Sequence, residues 1–115
     1  MMKLTIIESP YAGDVAANTA YARACLLDSL NRGEAPMASH LLYTQVLDDT
    51  NPAERELGIN AGLEWMSCAD LVAVYADNGI SAGMMQGILA AQDEDIKIEY
   101  RRLYESEQER EDDAE

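Results

Sequence analysis

The sequence predicts an α/β domain, a three-layer sandwich around a parallel sheet of four to five strands. Three observations carry that expectation. Short β-branched or apolar runs alternate with longer segments of helical spacing, in the order β-α-β-α-β-α-β. One run, Leu71-Val72-Ala73-Val74-Tyr75, is apolar throughout, as expected of a strand covered on both faces. The stretch that follows it, Ala76-Asp77-Asn78-Gly79 and then Ile80-Ser81-Ala82-Gly83-Met84, reads as a tight turn into a helix start.

Lys3–Glu8 forms the first predicted strand and ends at Ser9-Pro10, because proline cannot continue a central strand. Asp14 then caps a helix with Val15, Thr19, Ala22, Leu26 and Leu30 on one face, stopping near Arg32-Gly33. A weak second strand is expected at Ala35–Ser39, where a βαβ unit needs its return. His40–Thr50 has neither period and reads as a long loop. Asn51-Pro52-Ala53-Glu54 has the cap, first-turn proline and acid of a helix start, and that helix extends to about Cys68. After the apolar third strand, a helix from Ser81 to about Gln92 and an alternating strand at Ile96–Tyr100 complete the body. The division expected is a domain over residues 1–101 and an acidic tail over 102–115.

At 115 residues the chain is long enough for one core without disulfides. Cys25 and Cys68 both fall in predicted helices among apolar neighbours and are expected reduced and buried. Met1-Met2-Lys3 leads into a strand without a signal-peptide pattern, and no apolar run is long enough to span a bilayer. A cytoplasmic setting with no membrane partner is the expectation. The net charge is −14, of which −6 lies in residues 105–115, with seven acids against Arg110, and −8 on the body. No basic stripe is available to release counterions, so nucleic-acid binding is disfavoured. A small phosphorylated ligand remains compatible, since a helix N-terminus and an arginine or two suffice for phosphate.

Two loops are expected at the carboxyl edge of the sheet, where open α/β folds bind ligands. The first is Ser9-Pro10-Tyr11-Ala12-Gly13-Asp14 and the second is the link to Ser81. Tyr11 offers a ring for stacking, His40 a polar contact just after the second strand, and Ser81 either a cap or a phosphate ligand. Arg23 offers a phosphate contact or a surface ion pair. Asp48, Asp49, Glu54 and Glu56 are read as loop caps and a solvated first turn rather than a metal site, and no zinc spacing exists. Met84, Met85, Trp65 and Met66 are read as core or subunit interface.

The first loop, with Ala17-Asn18 and Ala22-Arg23 behind it, resembles the opening of nucleoside 2-deoxyribosyltransferase-like proteins, and in particular a branch of them common in phages and bacteria. So do Ser39-His40-Leu41-Leu42, Leu47-Asp48-Asp49, the segment from Asn51 to Gly58, Cys68-Ala69-Asp70 and Ile80-Ser81-Ala82-Gly83-Met84. The similarity covers about residues 4–100. It implies a flavodoxin-like or Rossmann-like fold and a nucleoside or nucleotide pocket that a neighbouring subunit often completes; a homodimer is expected from the exposed edge or helix face of so small a sheet, and no cofactor is expected. It also implies ligand contacts at Ser9, Tyr11, Gly13, His40, Asp77, Ser81, Gly83 and Met84.

In that family a helix glutamate attacks the sugar C1′, by the logic of a retaining glycosidase. This chain departs from the pattern there: the matching position is Gly87, followed by the matching Ile88. Three functions are therefore expected in competition. The leading one is a nucleotide-binding protein that has lost the nucleophile and senses or sequesters a nucleotide signal. The second is an active N-glycosidase or 2-deoxyribosyltransferase using a displaced carboxylate, Glu8 or Asp77. The third is a protein-interaction module acting through the acidic tail.

Overall fold

The computed structural model describes residues 1–104; the acidic run over 105–115 lies outside the described residues. Its sheet has four strands, β1 (Leu4–Glu8), β2 (Ala35–Met37), β3 (Leu71–Tyr75) and β4 (Lys97–Arg101), in the order β2-β1-β3-β4. Every pairing is parallel, with Ile6 opposite Met37 and Val72, and Val74 opposite Glu8 and Tyr100. The helices are α1 (Val15–Asn31), the single turn α2 (Ser39–Leu42), α3 (Pro52–Glu64) and α4 (Ala82–Asp93).

Strand alternation sorts the core into two layers. Ile7, Ala73 and Tyr75 point to one face, where Tyr21, Cys25 and Leu26 of α1 and Leu41 of α2 cover them. Ile6, Val72 and Val74 point to the other, against Leu63 of α3, Met66, and Met84, Ile88 and Ala91 of α4. With helices on both faces, β3 is buried at all five positions, which is why it reads as an unbroken apolar run. This is the three-layer α/β architecture predicted, at four strands. β1 lies between β2 and β3, so the connections leave it in opposite directions and open a crevice at its carboxyl end.

Three caps hold as read. Asp14 Oδ1 accepts from Ala17 N at 3.1 Å, Asn51 Oδ1 from Ala53 N at 3.0 Å and Ser81 Oγ from Met84 N at 3.2 Å. Gly33 takes a positive φ of 82° past the end of α1, as a helix-terminating glycine should.

Other details differ. β2 is shorter than expected because the chain turns helical at Ser39, and residues 39–45 are not loop but α2 followed by a 3₁₀ turn, Tyr43–Gln45. Thr44 Oγ1 donates to the His40 carbonyl at 2.7 Å and Gln45 Nε2 to that of Leu41 at 3.0 Å, closing turns that a periodicity search cannot see in so few residues. α3 ends at Glu64, and a 3₁₀ turn over Trp65–Cys68 leaves Cys68 exposed rather than buried. Cys25 is buried as expected, and burial pushes its thiol up to about 12. The buried stripe of α1 is Tyr21, Ala22, Cys25 and Ser29, while Val15 and Leu30 are exposed. Trp65 and Met85 are exposed too, the indole donating to Tyr43 Oη at 3.0 Å. No helix among the described residues is long and apolar enough to cross a membrane.

Candidate functional site

A cavity of about 190 Å³ opens at the crevice beside the end of β1. One wall is the end of β1 and the first loop: Glu8, Ser9, Tyr11 and Ala12. α2 contributes Ser39 and His40, α3 contributes Arg55, Ile59, Gly62 and Leu63, and α4 contributes Ser81 to Met84, Gln86 and Gly87. The two loops expected to face one pocket do so.

The first loop is fixed from α1. Asn18 Nδ2 donates to the carbonyls of Tyr11 and Ala12, both at 3.0 Å, so the loop that carries Tyr11 is held by a helix side chain. Ser9 is buried, and its hydroxyl lies 2.7 Å from His40 Nε2. Burial lowers the His40 imidazole to about 4, so the ring is neutral near pH 7 and shares a neutral hydrogen bond with Ser9.

The α4 start joins a cation. An α-helix leaves its first amides without intrahelical acceptors, and Ala82 and Gly83 line the cavity at that point. Arg55 reaches the same place. Its Nη2 lies 3.8 Å from where a Cβ on Gly83 would stand, while its Nη1 donates to Asp49 Oδ2 at 2.6 Å. Helix amides and a guanidinium side by side make this the wall suited to an anion.

Glu8 provides the opposite charge. Alternation along β1 puts it on the face of Ile6, beneath α4, and its carboxyl comes to rest against Gly87. A Cβ built on Gly87 would meet the Glu8 carboxyl carbon at 2.5 Å and Oε1 at 2.9 Å, with Oε2 closer still. No hydrogen bond or ion pair holds this carboxyl among the described residues. Burial alone raises it to about 8, so it is largely protonated at neutral pH.

Of the residues anticipated from sequence, Glu8, Ser9, Tyr11, His40, Ser81, Gly83 and Met84 line this one cavity. Gly13 does not; it turns the first loop, with a φ of 102°. Asp77 does not either. Its carboxylate accepts from Tyr21 Oη at 2.6 Å and from the amides of Leu103 and Tyr104 at 2.9 and 3.1 Å, which ties down the segment after β4. Burial works against the ionised form of Asp77, but the Tyr21 hydroxyl and those amides hold it below the usual carboxylate range. Arg23 is exposed on α1, outside the cavity lining. Asp48 and Asp49 are occupied by Thr50 and Arg55, and no group of acids, histidines or cysteines among the described residues is arranged to hold a metal ion.

Sequence reading missed Arg55, although a signal was there: across residues 33–96 it is the single lysine or arginine. It also missed Gly62, where a Cβ would come 2.6 Å from Ser39 Oγ, so glycine lets α2 and α3 meet along the cavity wall. No curated protein matches the chain. A family match covers residues 3–101, from β1 to β4, and so takes in every segment that lines the cavity. On that match the chain belongs to the family described as a domain of unknown function, DUF7768.

Proposed function

We propose that the cavity binds a nucleoside or a nucleoside 5′-monophosphate. The observation that carries this reading is the meeting of Arg55 with the first turn of α4 on one wall, opposite the Ser9–His40 pair and Tyr11 on the other. The first wall suits a phosphate. The second offers hydroxyl and imidazole groups for sugar hydroxyls and a ring for stacking. At about 190 Å³ the enclosed space is below the usual span of ligand pockets, so it takes the sugar and its phosphate and leaves the base towards the opening. The resemblance of the first loop, the α3 start and the α4 start to nucleoside 2-deoxyribosyltransferase-like proteins supports the same ligand class.

The test is a thermal-shift and calorimetric titration with dAMP, dCMP, dGMP, dTMP and the matching nucleosides. A bound monophosphate at 100 times its Kd adds about 2.7 kcal/mol to stability, a rise of ten degrees or so in a chain of this size. Arg55→Ala should weaken monophosphates by about tenfold or more while changing nucleosides little. No response to any of these ligands would sink the reading.

A further inference from the structure

α3 has a second side besides the one that lines the cavity. Arg55, Ile59 and Gly62 face the cavity, while Leu57, Ala61 and Trp65 follow one another at four-residue spacing along a different side of the helix and its cap. The chain from Tyr43 to Leu47 runs beside that second side in the opposite direction. Trp65 Nε1 donates to Tyr43 Oη at 3.0 Å at one end, and a Cβ on Gly58 would meet Leu47 Cδ1 at 3.4 Å further back. Beyond it the Asp48 amide donates to Glu54 Oε1 at 3.1 Å. The strip these contacts define leaves apolar side chains to solvent, with Val46 81% exposed, Leu57 59% and Trp65 51%. Large apolar side chains gathered on one surface mark a place where another chain packs.

The rim fixes the kind of chain. Glu54 stands three residues before Leu57 and Glu64 three after Ala61, so both border the apolar row, and Asp48 is exposed at its near end. No cation answers these acids. Arg55 is the single lysine or arginine across residues 33–96, and Asp49 engages it on the cavity wall. Between α3 and the 43–47 segment lies a recess of about 60 Å³, with Tyr43, Leu47 and Gly58 on its walls and Glu54 beside them. That combination suits the aliphatic stem and charged end of a lysine. A second copy of this chain would bring the same acids, and a net charge of −14, against them.

We propose that this strip docks an amphipathic helix of a partner protein, basic on its polar face, with its apolar side against Val46, Leu57 and Trp65 and a lysine in the recess beside Glu54. The proposal does not depend on what the cavity binds.

Trp65 is the one tryptophan of the chain and lies on the strip, so its fluorescence reports docking directly. The probe is a tryptophan-free peptide of leucines and lysines at helical spacing, titrated into the full chain. A peptide of the same composition in scrambled order, with equal charge and no apolar face, is the control. The helical peptide should shift Trp65 emission to the blue and saturate; the scrambled one should do neither. Leu57→Asp and Val46→Asp should each weaken docking roughly tenfold or more, although each adds a negative charge that would strengthen a purely ionic contact. Leu27→Asp, at a leucine on α1 that is also 59% exposed, should leave docking unchanged. Glu54→Gln, which keeps an acceptor for the Asp48 amide and removes the charge, should weaken docking a few fold. Equal shifts from both peptides, no shift from the helical one, or unchanged affinity in both Asp variants overturns the proposal. So does a chain that sediments as a dimer which Leu57→Asp dissociates, because the strip then belongs to a second copy.

Discussion

Tyr21 and Asp77 bond to each other in both directions: the phenol donates to Asp77 Oδ1 at 2.6 Å and the Asp77 amide donates back to the phenol oxygen at 3.1 Å. Asp77 is thus a clasp between α1, the turn after β3 and the segment beyond β4. Tyr21→Phe removes the donor to a partly buried carboxylate and should cost about 1–2 kcal/mol in urea denaturation. Asp77→Asn should also destabilise, yet leave the response to nucleoside monophosphates as it is. Altered ligand affinity in Asp77→Asn would return this residue to the site.

A second network lies under the sheet. Arg101 donates to both oxygens of Glu34, at 2.9 and 2.6 Å, and to Tyr75 Oη at 3.0 Å, while Ser29 donates to Glu34 at 2.7 Å. The arginine holds the Glu34 carboxyl below its ordinary range, and Glu34 raises the guanidinium in turn. Arg101→Met leaves a buried carboxylate without its cation and should cost about 3–5 kcal/mol by chemical denaturation. The double variant Glu34→Gln with Arg101→Met should be less destabilised than Arg101→Met alone.

Glu8 and His40 give the stability a pH signature. Glu8 is raised from 4.5 to about 8, so between those values the folded chain holds a proton that the unfolded chain has lost, and stability falls as pH rises through 8. His40 is lowered from 6.5 to about 4, so its contribution is full above 6.5 and falls away as pH drops towards 4. The two slopes oppose each other below 6.5. From 6.5 to 8 Glu8 acts alone, and unfolding free energy should decline by up to about 1.4 kcal/mol per pH unit. The measurement is urea denaturation at stepped pH, and Glu8→Gln should flatten that window.

Gly62 and Ser39 set the spacing of α2 and α3. Gly62→Ala would bring a methyl to 2.6 Å from Ser39 Oγ and 2.8 Å from Ser39 Cβ, and should cost about 1–3 kcal/mol by thermal unfolding. Pairing it with Ser39→Gly should recover part of the loss. A Gly62→Ala chain as stable as the parent would show that α2 shifts freely.

The layered fold was legible because its signals are local. Leu71–Tyr75 is apolar without a break, and Asp14, Asn51 and Ser81 each cap a helix within three residues of their own position. The site was legible only in part. Ser9, Tyr11, His40 and the α4 start lie at strand ends, where chain order places them at one edge. Arg55 sits inside a helix whose direction across that edge depends on how α3 packs, which no short-range pattern encodes. Asp77 lies in the right turn, but its partners Tyr21 and Leu103 are 56 and 26 residues away. Glu8 was visible as an acid at a strand end; its meeting with Gly87 required the register of β1 under α4.

That register carries a consequence for inheritance. A side chain at 87 would enter the volume that the Glu8 carboxyl now fills, so the carboxyl would have to swing aside to admit it. Among members of the family, an acid at position 8 is expected to travel with glycine at position 87, and an acid at 87 with a small residue at 8. Such a pair would change in tandem across lineages, passing one carboxyl group between a strand and a helix while the shape of the cavity stays the same.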